Sequence, residues 1–132
     1  MSRGYGGICQ KIAEDYTFVL YEYFSYNLNA DDHEKIFDGV ISIRKSALLE
    51  PEQREKFRKM PNGRRQKFIK TILREVPLYE LIDSGDVQVE NCSHAWEFLS
   101  NGVDFIAYRV CEKIFESYQR EGILPDKCGC FM

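Results

Sequence analysis

The segment Tyr16–Tyr26 reads YTFVLYEYFSY, and only Leu20, Glu22 and Ser25 in it are neither aromatic nor β-branched. Such side chains pack well on a pleated surface and poorly around a helix, so this run commits the chain to a sheet. Its even positions (Tyr16, Phe18, Leu20, Glu22, Phe24, Tyr26) and its odd ones (Val19, Tyr21, Tyr23) are alike in lacking a polar face. A central strand covered on both sides is therefore expected. Phe37–Lys45 (FDGVISIRK) follows a polar loop, Asn27–Lys35, and supplies a partner for an antiparallel hairpin or meander. Cys9–Glu14 reads as a shorter strand ahead of it. Glu22, if it faces inward, needs a partner, and Arg44 is the candidate.

The later sequence changes period. Pro51 suits the first turn of a helix, Pro61-Asn62-Gly63 interrupts it, and a second helix is expected from Arg64 to Glu75, ending before Pro77. Phe68, Ile69, Ile72, Leu73 and Val76 recur at helical spacing as its buried stripe. Leu78–Ile82 predicts a helical turn, Ser84-Gly85-Asp86 a tight turn, and Asp86–Asn91 a short edge strand. Ser93 is placed to cap a short helix to Ser100. Asn101 and Asp104 precede a long final helix to Glu121, with Val103, Ile106, Ala107, Val110, Ile114, Phe115 and Tyr118 as its apolar set and Gly122 as its left-handed cap. Strands first and helices later predict an α+β fold: one domain over residues 1–132, with an antiparallel N-terminal meander and helices packed on one face. Residues 1–7 read as a flexible arm and 126–132 as a tail.

Charge is strongly segregated. Nine of the eighteen lysines and arginines lie between Arg54 and Arg74 with Glu55 the only acid, a local charge of +8 inside a chain of net charge −3. The other nine bases face twenty acids, leaving −11 elsewhere. Arg58, Arg64, Lys67, Lys70 and Arg74 are candidates for a phosphate or an acidic protein partner, against the plainer reading of a solvated face. Phe57 and Phe68 stand among them. On the acidic side, Asp31, Asp32, Glu34 and Asp38 cluster in the loop between the first strands and are candidates for a cationic partner.

Cys9, Cys92, Cys111, Cys128 and Cys130 are odd in number and unevenly spaced, which is not a secreted disulfide framework. Cys92, His94, Cys128 and Cys130 are four possible metal ligands. Their pairs are separated by one residue where structural zinc sites use two to four. Cys128 and Cys130 also form a possible redox pair, while Cys111 reads as a small buried hydrophobe. No nucleophile elbow, phosphate loop or metalloprotease helix is present, so neither an enzyme nor a cofactor is expected. No apolar run has the length a bilayer requires, and a cytosolic protein is expected.

In size, in the aromatic strand followed by FDGVISIRK, and in its late helices, the chain resembles the small acidic immunity proteins that bacteria pair with their own toxins. The resemblance implies a protein that binds and blocks one toxin without catalysis, and it assigns no individual residue. The expected function is a non-enzymatic protein-binding module. The rivals are a nucleic-acid binder acting through Arg54–Arg74 and a thiol or metal protein acting through Cys128 and Cys130.

Overall fold

The aromatic run becomes the middle strand of a five-stranded antiparallel sheet in a computed structural model of the chain, which describes residues 5–27, 36–93 and 95–131. Strands β1 (Tyr5–Glu14), β2 (Phe18–Asn27) and β3 (Gly39–Arg44) form the expected meander. Tyr5–Gly7, expected in an arm, belong to β1. Tyr16 is left outside β2, fully exposed in a turn where the Asp15 carboxylate accepts the Thr17 and Phe18 amides, each at 2.7 Å.

The first departure follows β3. Both helices expected between Pro51 and Glu75 are replaced by two strands, β4 (Glu52–Lys59) and β5 (Arg65–Ile72), forming a separate antiparallel ribbon. Pro61-Asn62-Gly63 is its hairpin loop. Asn62 Oδ1 accepts the Arg64 amide, the Met60 amide donates to the Arg64 carbonyl, and Gly63 takes φ +83°, which a side chain would resist. The helical stripe had no surface to cover: Phe68 and Ile69 are exposed.

Helix α1 (Leu78–Ser84) and edge strand β6 (Val87–Glu90) follow as expected, and β6 adds to the free side of β3. The short helix expected from Ser93 to Ser100 does not form among the described residues of that stretch. Asn91 instead folds this loop back on the start of α2, its amide donating to the Gly102 carbonyl and its oxygen accepting the Asp104 amide at 2.8 Å each. Helix α2 (Phe105–Glu121) starts at Asp104, whose carboxylate accepts the Ile106 amide, and ends at Gly122 with φ +76°. Residues 127–131, expected as a tail, form β7 (Lys127–Phe131) on the outer edge of β1, giving the order β6-β3-β2-β1-β7.

This α+β fold has one core. Ile106, Ala107, Val110, Cys111, Ile114 and Phe115 make one face of α2, and they meet Cys9, Val19, Tyr21, Tyr23, Ile41, Ile43, Val87 and Cys130 of the sheet. Leu78 of α1 joins them. Alternation along β2 explains this placement: Val19, Tyr21, Tyr23 and Ser25 are buried on the covered face, while on the other Phe18, Leu20, Glu22 and Tyr26 are half-buried and Phe24 is buried against the Phe37 ring. β2 is therefore central, as expected, but helices cover it on one face. Glu22 is partnered by the Gln10 amide across β1, whereas Arg44 pairs with Asp86 at 3.1 Å and lies over the Phe18 ring. No helix among the described residues is long and apolar enough to cross a membrane.

Gly39 lies directly across from Tyr23, and the Tyr23 ring occupies the space of its missing side chain. A Cβ there would sit 2.2 Å from Tyr23 Cε1. Gly39→Ala is expected to lower stability by about 1–3 kcal/mol, the usual cost of overpacking a core. It should appear in urea unfolding as a lower midpoint at unchanged slope, and an unaltered midpoint would contradict the seating of this ring.

Candidate functional site

Among the described residues the ribbon is the most exposed element. Gln53–Lys59 and Pro61–Thr71 are all exposed, so neither face is buried. At about 3.3 Å per residue its eight-residue strands extend roughly 26 Å. Register sorts the side chains, because directly opposed residues share a face. One face carries Arg54, Lys56, Arg58 and Lys70 with Phe68 and Ile72; the other carries Lys59, Arg65 and Lys67 with Phe57, Ile69 and Glu55. Each face thus sets basic side chains around an apolar centre.

Little within the ribbon neutralises this charge. Arg54 pairs with Glu52 at 2.8 Å, and Lys67 with Glu55 at 2.8 Å. Lys56, Arg58, Lys59, Arg64, Arg65 and Lys70 make no ion pair among the described residues. Arg54 stands directly opposite Lys70, and Lys59 opposite Arg65. Like charges so placed repel, and a two-stranded ribbon with no covered face is only marginally stable in water.

Both feet of the ribbon are tied to α2. Ahead of β4, Glu50 accepts a hydrogen bond from the Tyr118 hydroxyl at 2.6 Å. Beyond β5, the Gln119 side chain accepts the Arg74 amide at 2.7 Å and donates to the Arg74 carbonyl at 2.9 Å. Gln119 is buried. A side-chain amide offering both a donor and an acceptor to one residue's backbone holds that residue as a strand neighbour would. Beside this anchor lies a cleft of ≈ 430 Å³ lined by Leu73, Val76, Tyr108 and the carboxylates Glu75, Glu112 and Glu116.

The other candidates disperse. Asp31, Asp32, Glu34 and His94 lie outside the described residues, and Asp38 accepts the Ser93 amide at 3.1 Å. No group of three or more histidine, cysteine, aspartate or glutamate side chains among the described residues could hold a metal ion. Arg58, Arg64, Lys67 and Lys70 are brought together on the ribbon, with Arg74 at its foot. The sequence pattern places them on one helix, whereas the register divides them, Arg58 and Lys70 on one face and Lys67 with Phe57, Ile69 and Lys59 on the other. The signal was Asn62-Gly63 between two eight-residue runs, a hairpin pattern.

Cys92 is buried in a polar cluster. Tyr23 donates its hydroxyl hydrogen to Asp104 Oδ2 at 2.9 Å and accepts the Cys92 amide at 3.0 Å. Cys92 Sγ lies 3.3 Å from Ser25 Oγ and 3.8 Å from Asp104 Oδ2. Burial raises the Asp104 carboxyl above the ordinary carboxylate value, against the Tyr23 hydroxyl and Ile106 amide that lower it. Burial likewise raises the Tyr23 phenol. Asp104 and Ser25 are fully buried. The cluster holds the start of α2 against the sheet.

Comparison with known protein families, with curated proteins and with solved structures returns no match.

Asp104 gives a signed expectation. Its folded-state pKa is raised, so the unfolded chain releases this proton first as pH rises. The associated stability is full below the ordinary carboxylate range and is lost as pH climbs from there through the raised folded value. Asp104→Asn keeps a capping side chain and removes the titration. The stability of the wild type relative to this variant should fall as pH rises from about 3.9, the unperturbed aspartate value. Urea unfolding of both proteins across that range measures it, and a constant difference would refute it.

Proposed function

We propose that this chain is a non-enzymatic protein-binding module, that its docking element is the ribbon Glu52–Ile72, and that its partner presents an acidic protein surface. The observation that carries the reading is an exposed ribbon with bases around apolar residues on both faces and like charges opposed across its strands. An anionic partner relieves that repulsion, and burial of Phe57 and Ile69, or of Phe68, supplies the apolar centre that a protein interface needs. Aromatic and arginine side chains are the usual anchors of such contacts. The ribbon's rooting on α2 reduces the ordering that binding would otherwise require.

One observation favours a second reading. Bases on both faces suit a groove walled on two sides by phosphates, and the major groove, about 12 Å wide, admits a two-stranded ribbon. The net charge of −3 argues against it, because a nucleic-acid domain normally carries a net basic field that draws the polyanion in. An immunity-type inhibitor is a narrower form of the leading reading, supported by the resemblance in size and element order. It requires a gene for a secreted toxin beside that of this chain. Five free cysteines support a reducing compartment, the cytosol.

The discriminating experiment is affinity capture from the source cells, with and without nuclease, comparing the wild type with a variant carrying Glu at Lys56, Arg58, Lys67 and Lys70. All four are exposed, so circular dichroism should not change. A specific protein should be retained after nuclease treatment, and the variant should bind it on the order of a hundredfold more weakly, since like charges brought together at an interface cost several kcal/mol. Retention that vanishes with nuclease would replace this reading by the nucleic-acid one. Equal retention by wild type and variant would remove the ribbon from either.

A further inference from the structure

The sequence suggests Cys128 and Cys130 as a thiol pair, and the sheet rearranges that pairing. The two cysteines occupy alternate positions of β7, about 6.6 Å apart at about 3.3 Å per residue, near the upper limit for a disulfide. Cys130 opposes Gly7 and has no thiol across from it. Cys128 directly opposes Cys9 of β1. The Lys11 amide donates to the Asp126 carbonyl at 2.8 Å two residues along, which fixes this register. Directly opposed residues of an antiparallel pair have Cα atoms about 4.5–5.5 Å apart, inside the roughly 4.4–6.8 Å that a disulfide bridges.

The two side chains lie directly opposite on the same face of the sheet. The interaction between the two thiols lowers the Cys128 pKa and raises that of Cys9. Access differs in the same sense. Cys9 is fully buried under α2, whereas Cys128 is the only one of the five cysteines that is not buried. One sulfur is thus reachable and inclined toward thiolate, and the other is buried directly opposite it in the register. That is the arrangement of an attacking and a resolving cysteine.

We propose that Cys9 and Cys128 form a reversible cross-strand disulfide, a redox modification site whose oxidant is a low-molecular-weight disulfide of the glutathione type. The Cys128 thiolate attacks one sulfur of the oxidant, making a mixed disulfide and releasing one thiolate. The Cys9 sulfur then attacks the Cys128 sulfur and displaces the second thiolate, to which the Cys9 proton passes. Two protein thiols are oxidised and one small disulfide is reduced to two thiols. The product fastens β7 to β1 covalently. This site is independent of the ribbon and of any partner that the ribbon binds.

The test is incubation of the intact protein with oxidised glutathione, followed by alkylation in denaturant, intact mass and peptide mapping. The expected species has lost two hydrogens, alkylates at three of the five cysteines, contains a Cys9–Cys128 crosslink and reverts with dithiothreitol. Cys128→Ser, a substitution at a half-buried position, should fold and remain fully alkylatable. Cys130→Ser should oxidise as the wild type does. A crosslink between Cys128 and Cys130, a reaction that halts at a glutathione adduct on Cys128, or five alkylated cysteines after oxidation would each overturn the proposal.

Discussion

Asp104 is the carboxylate on which the placement of the other elements depends. It caps α2 through the Ile106 amide, takes the Tyr23 hydroxyl from the centre of the sheet, and lies beside the Cys92 thiol of the incoming loop. A buried carboxylate is costly unless donors surround it, and these donors come from separate parts of the fold. The cluster therefore fixes where α2 begins on the sheet. About 22 Å further along the helix axis, at about 1.5 Å per residue, Tyr118 and Gln119 hold the two feet of the ribbon. The direction of the exposed element thus traces back to a polar contact inside the core.

This arrangement separates two kinds of constraint. Apolar complementarity between α2 and the sheet accounts for the body, where alternation along β2 and the 3.6-residue period of α2 meet at one surface. The ribbon has no comparable burial and is held by its hairpin ladder, its loop and its two anchored ends. Its charge is repulsive within itself and opposite in sign to the rest of the chain. The element least supported by the fold is also the one most able to gain from an external contact, and this asymmetry gives the interaction reading its weight.

The parts of the fold that were legible in the sequence are those where local pattern and burial agree. The aromatic run, the FDGVISIRK strand, the edge strand after Gly85 and the Asp104-capped helix all have an apolar face that the core uses. Arg54–Arg74 misled because Phe68, Ile69, Ile72 and Leu73 fit a helical stripe as well as they fit the alternating faces of a hairpin. Only the absence of a surface to receive that stripe separates the two, and that is a tertiary fact. The clustering of bases was evident, but their division between two faces needed the register. The thiols show a similar contrast: proximity in sequence joins Cys128 to Cys130, whereas strand register sets Cys128 opposite Cys9.

The pairing of β1 with β7 also bears on how the chain reaches its fold. β1, β2 and β3 are joined by local connections, and a meander of this kind closes short loops early. The pairing of Cys9 with Cys128 closes a loop of nearly the whole chain, and α2 packs against both of the strands it joins. Non-local pairings of this kind form slowly, because the entropy of closure is lost before the contact gives anything back. Until then the outer edge of β1 presents open hydrogen-bonding groups along Gly6–Gln10, a template for the equivalent strand of another molecule. Exchange of β7 between two copies would satisfy the same bonds, so the strand that completes the sheet is also its point of entry for misassembly.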